Sequence, residues 1–227
     1  MATFLITGAN RGIGLALTKH AIAHNHIVIG TARDPDAASE LKDTGARAEA
    51  LDVTDDASCA ALAQRIGDEP IDILINNAGI FDHSADALAD LNPDAFTRTL
   101  ETNTLGPILV TRALTRNIAA SSRKLVVHIS SDLGSMDSAV KRGGGYLAYA
   151  TSKAALNMAH LSITNELNDH GITSVAIHPG WVQTDMGGQE APMTPDQSAE
   201  SILATLGTIN ASHAGAFLRH DGTPMNW

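Results

Sequence analysis

Short apolar runs alternate with stretches of helical periodicity from the first residues of this 227-residue chain to its last, and no other feature restricts its fold as much. Residues 4–6, 27–29, 71–75, 125–127 and 173–177 read as strands, with 48–51 and 216–218 as weaker candidates. Runs such as Leu125-Val126-Val127 show no polar alternation, which suits parallel strands covered on both faces. Between the strands, residues 13–23, 57–66, 94–118 and 149–168 carry apolar side chains at helical spacing. Asp55 is placed to start one helix, and Pro195 to occupy the first turn of another. Alternation of this kind predicts an α/β fold, a doubly wound parallel sheet of about seven strands with helices on both faces.

The length suits one domain over residues 1–227, and there is no repeat, linker or low-complexity tract. Hydrophobic residues make up 44% and charged residues 18%, which supports a buried core rather than disorder. A formal charge of -10 argues against a nucleic-acid partner, because phosphate binding needs clustered Lys and Arg. No stretch reaches the roughly 18–20 apolar residues of a membrane span, so no membrane association is expected. Met1 leads directly into the first strand with no signal-peptide pattern, which predicts a cytoplasmic protein. Cys59 is the one cysteine and reads as a small buried thiol in a reducing compartment. The ten histidines are scattered and lack a completing ligand set, so no metal is expected. Residues 134–146, with glycines at 143–145, and 185–195 fit neither pattern and follow strands expected to end on the ligand side. They are the predicted substrate rim, where Trp181, Met186 and Met193 are candidate apolar lining. The indole of Trp227 needs a docking place, on this chain or on a neighbouring subunit.

Thr7-Gly8-Ala9-Asn10-Arg11-Gly12-Ile13-Gly14 follows the first strand and opens a helix. Glycines there let the backbone turn tightly against a pyrophosphate, whose charge the free N–H groups of a helix start can bind. Gly8, Asn10, Arg11, Gly12, Ile13 and Gly14 are therefore candidate dinucleotide-binding residues, and the fold is predicted to be Rossmann-type. The alternative is a tight structural turn. A carboxylate at the end of the second strand would grip an adenosine 2′-hydroxyl, whereas an arginine favours a 2′-phosphate. Arg33 holds that place, with Arg11 near enough to assist, so NADP(H) is predicted over NAD(H). Asp34 keeps the opposite choice open, since a one-residue shift would put a carboxylate at the ribose.

Tyr149 and Lys153 stand at i and i+4, neighbours on one helical face. Such a pair is common on solvated surfaces. Here it accompanies Ser130-Ser131 at the end of a strand, Asn76-Asn77-Ala78-Gly79 after another, and Asn103 within Glu101-Thr102-Asn103-Thr104.

Together with the glycine turn, Asp52 after the third strand and Pro179-Gly180-Trp181-Val182-Gln183-Thr184, these motifs resemble the short-chain dehydrogenase/reductase family over essentially the whole chain. Gly144-Gly145-Tyr146-Leu147-Ala148-Tyr149 and Thr184-Asp185-Met186-Gly187-Gly188 are similar to its carbonyl-reductase subgroup, which contains sniffer and the myxobacterial C-factor. The resemblance implies reduction of an aldehyde or ketone to an alcohol, or the reverse, with Tyr149 as the proton donor or acceptor. A free phenol titrates near ~10, so work near neutrality needs a drop of roughly 3 units, which Lys153 and a positive nicotinamide would supply. It further implies that Ser131, rather than Ser130, bonds the substrate oxygen, and that Asn103 holds a water leading from Lys153 to solvent. Tyr146 is a rival acid, but only Tyr149 has a lysine four residues on. On the same resemblance Asp52, Val53, Asn77, Ala78, Gly79, Tyr149, Lys153, Pro179, Gly180, Val182 and Thr184 contact the cofactor. The helices over 94–118 and 149–168 would form a homodimer or homotetramer. The competing functions are an NAD(P)-binding signalling or redox-sensing protein, and a sugar epimerase or dehydratase, the latter disfavoured by short length and TGxxxGxG spacing.

Overall fold

In the computed structural model, which describes residues 1–89, 91–143 and 145–227, seven strands build one sheet: β1 Thr3–Ile6, β2 Ile27–Ala32, β3 Arg47–Ala50, β4 Ile73–Asn76, β5 Leu125–Ile129, β6 Thr173–His178 and β7 Ala216–Arg219. All neighbours are parallel and the order is β3-β2-β1-β4-β5-β6-β7. The order reverses between β1 and β4, which opens a crevice beyond their carboxyl ends. The predicted Rossmann-type sheet is thus borne out, including both weak edge strands.

Side chains alternate across the sheet and divide the core in two. Ile73, Ile75, Leu125, Val127 and Ile129 face helices α1 (Gly12–Ala23) and α8 (Pro195–Thr208), where Leu17, Ile202 and Leu206 meet them. Leu74 and Val126 face the other way, toward Leu62, Leu114 and Leu167 of α3 (Asp56–Ile66), α5 (Gly106–Ala119) and α7 (Leu147–Asp169). These side chains are buried, each worth roughly 1.5–3 kcal/mol against exposure. Asp55 caps α3 by accepting from Ala57 N–H, and Pro195 follows the Thr194 cap of α8. The short helix α2 (Ser39–Asp43) covers the outer edge.

Two segments differ from the sequence reading. The single helix expected over 94–118 is α4 (Pro93–Leu100), a π-helical turn over Glu101–Leu105, and α5. Pro107 has no N–H to give the carbonyl of Asn103, four residues earlier, and its ring crowds that carbonyl, so the helix widens at this point. The segment 134–146, expected to be loop, contains α6 over Met136–Arg142. Its signals are in the sequence: Ser135 caps it by accepting from Ser138 N–H, and Gly143 ends it at φ +83°. Gly144, part of the expected loop, lies outside the described residues.

Trp227 docks on its own chain. Its ring stacks on Phe217 at 5.1 Å, and its backbone oxygen accepts from Met136 N–H, from Asp137 N–H at 3.3 Å and from Ser135 Oγ at 3.1 Å. The tail therefore holds the start of α6.

Candidate active site

The glycine turn is tied to the strand beside it. Thr7 Oγ1 accepts from Asn77 N–H and Ala78 N–H, both at 3.0 Å, while Asn77 Nδ2 donates to the carbonyls of Thr7 (2.9 Å) and Gly8 (3.1 Å). A Cβ at position 14 would lie 2.3 Å from the Gly8 carbonyl oxygen and 2.5 Å from Asn77 Nδ2, so only glycine lets α1 start this close to β4. Arg11 is the N-cap of α1 without any side-chain acceptor, which leaves first-turn N–H groups for an anion. These features fit a pyrophosphate.

Arg33 follows β2 directly, is exposed, and forms no ion pair among the described residues. Asp34, the rival, has its Oδ1 occupied by the N–H groups of Asp36 (2.9 Å) and Ala37 (3.2 Å). Arg11 pairs instead with Asp185, in the expected rim loop, at 2.7 Å. Asp52 accepts from Thr54 N–H and Thr54 Oγ1, bonds that hold its carboxyl below the usual range. Val53 is buried against Gly106, where a Cβ would stand 2.9 Å from Val53 Cγ2.

Beyond β6 the chain turns at Gly180, φ +90°, and Ser198 Oγ holds the Pro179 carbonyl at 2.7 Å. Val182 is buried and bridges to Met193, whose sulfur lies below Gly180. Thr184 Cγ2 would be 3.3 Å from a Cβ on Gly12, so this loop lies over the glycine turn. Met193 packs the loop, whereas Trp181 and Met186 are exposed beside the cleft.

Tyr149, Lys153, Ser131 and Asn103 come together at the carboxyl end of β5. Ser130 and Ser131 point to opposite sides, as strand alternation requires. Ser130 Oγ donates to Asn157 Oδ1 of α7 at 2.6 Å and is turned away from the site. Ser131 Oγ accepts from Leu133 N–H at 3.1 Å and donates to Asp132 Oδ1 at 3.2 Å. Lys153 is buried and donates to the Ile129 carbonyl at 2.8 Å; its ammonium lies 5.7 Å from the centre of the Tyr149 ring. Asn103 sits in the π-helical turn, fully buried, with Oδ1 accepting from Ile80 N–H and Nδ2 donating to the Ile80 carbonyl, each at 2.8 Å, and to Ser152 Oγ at 3.0 Å.

One electrostatic expectation is corrected. Burial pushes the Tyr149 phenol above its usual range; its interaction with Ser131 opposes this and the Asp132 carboxylate adds to it. Burial also lowers Lys153, to about 8. The polypeptide by itself therefore does not make the phenol acidic: desolvation outweighs the interaction with Ser131, and the Lys153 ammonium is engaged by the Ile129 carbonyl.

Several neighbours escaped the sequence reading. Phe81 meets the Tyr149 ring edge-to-face at 5.0 Å and lies 6.0 Å from the Tyr146 ring, centre to centre. Asp132, beside Ser131, was visible only as a residue following a motif. Tyr146 caps the start of α7 in the left-handed region, φ 57°, at the rim. His178, at the end of β6, is buried and accepts from Asp132 N–H at 3.2 Å through Nδ1. Cys59 is buried, and burial pushes its thiol up to about 11. Among the described residues no His, Cys, Asp and Glu group could hold a metal, and no helix is long and apolar enough to cross a membrane.

A parallel sheet with this strand order, a glycine turn at its crevice and a Ser–Tyr–Lys cluster beside it define a dinucleotide-dependent dehydrogenase. A model of the short chain dehydrogenase family matches residues 2–194, and the chain belongs to that family. C-signal of Myxococcus xanthus is 39% identical over 167 residues, 74% of this chain and 99% of that relative. The NADPH-bound carbonyl reductase from chicken fatty liver superposes with a TM-score of 0.91 at 34% identity, covering 100% of this chain and 99% of its own. Carbonyl reductase Sniffer of D. melanogaster gives 0.91 at 32% identity, with 100% of both chains covered.

Proposed function

We propose that this protein reduces aldehydes or ketones to alcohols with NADPH, or runs the reverse reaction with NADP+. The observation that carries this reading is the meeting of Tyr149, Ser131 and Lys153 at the end of β5, next to the glycine turn. Bound NADPH would supply hydride to the carbonyl carbon, and the nicotinamide would become positive. Tyr149 gives its proton to the oxygen that then carries negative charge. Ser131 lies on the same side and orients that oxygen. Lys153 would hold the nicotinamide ribose hydroxyls and favour phenolate once the proton has left. Asn103 holds the water through which Lys153 exchanges protons with solvent.

The backbone from Gly8 to Gly14 would hold the pyrophosphate, with Asn10 and Ile13 at the turn. Arg33, assisted by Arg11, would take the 2′-phosphate; Asp52 and Val53 would line the adenine side. Asn77, Ala78 and Gly79 would underlie the nicotinamide ribose, and Pro179, Gly180, Val182 and Thr184 the nicotinamide. Support for NADP(H) over NAD(H) comes from the unpaired Arg33, the occupied Asp34 and the NADPH bound to the chicken carbonyl reductase. Small apolar or aromatic carbonyls suit the rim of Phe81, Tyr146, Trp181 and Met186. A homodimer or homotetramer is part of the same proposal, supported by the exposed Leu105, Met158 and Leu161 on the α4–α5 and α7 helices. Sedimentation would show a monomer if that is wrong.

NADPH consumption against a panel of aldehydes and ketones tests the reading. Turnover should fall about 10²–10⁴-fold in Tyr149→Phe. The likeness to C-signal favours a second reading, a dinucleotide-binding signalling protein. Tight NADPH binding with no turnover of any carbonyl would select it.

A further inference from the structure

Residues 223–227 fold back along β7 and reach the segment that carries Ser131. Arg219 N–H donates to the Thr223 carbonyl and Met225 N–H to the Phe217 carbonyl, both at 2.8 Å, and Pro224 pairs with Leu218. This hairpin delivers Trp227, whose ring stacks on Phe217 at 5.1 Å and lies 6.2 Å from the His160 ring of α7, centre to centre. Its backbone oxygen accepts from Ser135 Oγ at 3.1 Å and from the N–H groups of Met136 and Asp137.

Ser131 and Ser135 flank one 3₁₀ turn over Asp132–Gly134. The Ser131 carbonyl accepts from Gly134 N–H at 3.0 Å, the Asp132 carbonyl from Ser135 N–H at 3.1 Å, and Ser131 Oγ from Leu133 N–H at 3.1 Å. A turn this short, bonded at each step, has little slack, so a shift at Ser135 is passed to Ser131. The turn rests on α7, where a Cβ on Gly134 would lie 2.6 Å from the Lys153 carbonyl carbon and Asn157 Nδ2 donates to the Gly134 carbonyl at 3.2 Å. Trp227 holds its far end from β7. Beyond Ser135, α6 leads to Tyr146, with Arg142 Cζ 6.0 Å from the centre of that ring. One anchor thus bears on both the serine and the rim helix.

Resting on the carbonyl-reductase reading, we propose that Trp227 is a positioning residue: by fixing Ser135 and the start of α6, it sets where Ser131 and the rim stand against the substrate carbonyl. The glycine turn and Arg33 follow β1 and β2, on the far side of the sheet from β7, so dinucleotide binding should depend on it little.

Trp227→Ala is compared with Trp227→Phe, which keeps a ring on Phe217. For the carbonyl that the parent reduces fastest, Trp227→Ala should lower kcat/KM about 10-fold, raising KM and lowering kcat, with NADPH affinity within about 3-fold. Amide hydrogen exchange over residues 133–139 should speed about 10-fold and stay as in the parent over residues 8–14. Trp227→Phe should bring both back to within about 2-fold of the parent. Ile202→Val, which thins the core on the α1 and α8 face, should lower the melting temperature and leave kcat/KM and exchange over 133–139 unchanged. Unchanged exchange over 133–139 in Trp227→Ala overturns the proposal, as does faster exchange with unchanged kinetics. The same losses in Ile202→Val would trace them to stability alone and overturn it as well. A parent that turns over no carbonyl sinks the carbonyl-reductase reading, while faster exchange over 133–139 in Trp227→Ala still supports the hold of Trp227 on the Ser131 segment.

Discussion

Lys153 donates to the backbone carbonyl of Ile129 at 2.8 Å, and this bond, made across the site, sets where the ammonium stands relative to Tyr149. The two residues should therefore fail differently. Lys153→Met should weaken NADPH binding about 10-fold and reduce turnover at least ~10²-fold, because it removes a buried charge-assisted contact as well as the proton path. Tyr149→Phe should leave NADPH binding within about 2-fold. Fluorescence titration with NADPH, alongside steady-state kinetics, separates the two.

Arg33 should account for the cofactor choice. Arg33→Ala is expected to weaken NADPH binding about 10–100-fold, the worth of a charge-assisted phosphate contact, with little effect on NADH. Equal losses for both would reject the assignment. Asp185→Ala should change NADPH affinity less than about 5-fold, since the Arg11–Asp185 pair is exposed on both sides.

Acid should destabilise the fold through two buried imidazoles. His128 on β5 and His160 on α7 lie 5.4 Å apart, centre to centre, with His160 Nδ1 bonded to Ser174 Oγ at 2.9 Å. Burial holds His128 well below its ordinary value and His160 at about 4. Unfolded histidine binds its proton near ~6.5, so the stability present above that pH is lost as the pH falls toward 4. For His160 the total is on the order of 3 kcal/mol. Melting temperature should drop between pH 7 and pH 5, and His160→Gln should flatten that dependence.

Gly134→Ala should damage the site from outside it. A Cβ there would lie 2.6 Å from the Lys153 carbonyl carbon and 2.9 Å from Ala154 N, both backbone atoms of α7. Displacing the helix is expected to cost about 1–3 kcal/mol and to lower turnover, with Lys153 moved from Ile129. Calorimetry and kinetics on the same sample check both; an unchanged melting temperature would contradict the packing argument.

Where the physics was local, the sequence was enough. The apolar runs at 73–75 and 125–127 identify strands buried on both faces, because parallel pairing and two covering layers leave no polar position between them. Asp55 and Thr194–Pro195 mark helix starts, since capping involves only neighbouring residues. The two-residue period of a strand says that only one of Ser130 and Ser131 can enter the site, and the family resemblance pointed to Ser131; Ser130 is indeed the one turned away. The helix at 136–142 was equally readable from Ser135 and Gly143, but the glycines that follow hid it.

What the chain order could not decide was set by contacts between distant segments. Asp34 has one carboxylate oxygen, Oδ1, taken up by a nearby turn, while Arg11 is drawn to Asp185, 174 residues away. Phe81 reaches Tyr149 only once β4 and α7 are brought together. The ionisation of Tyr149 and Lys153 was the least accessible from sequence. A one-turn spacing says that two groups are near, but burial, the Ile129 carbonyl and the Asp132 carboxylate decide which protonation state the folded protein favours. Proximity is a property of local geometry; desolvation depends on everything packed around the pair, and so exists only in the folded molecule.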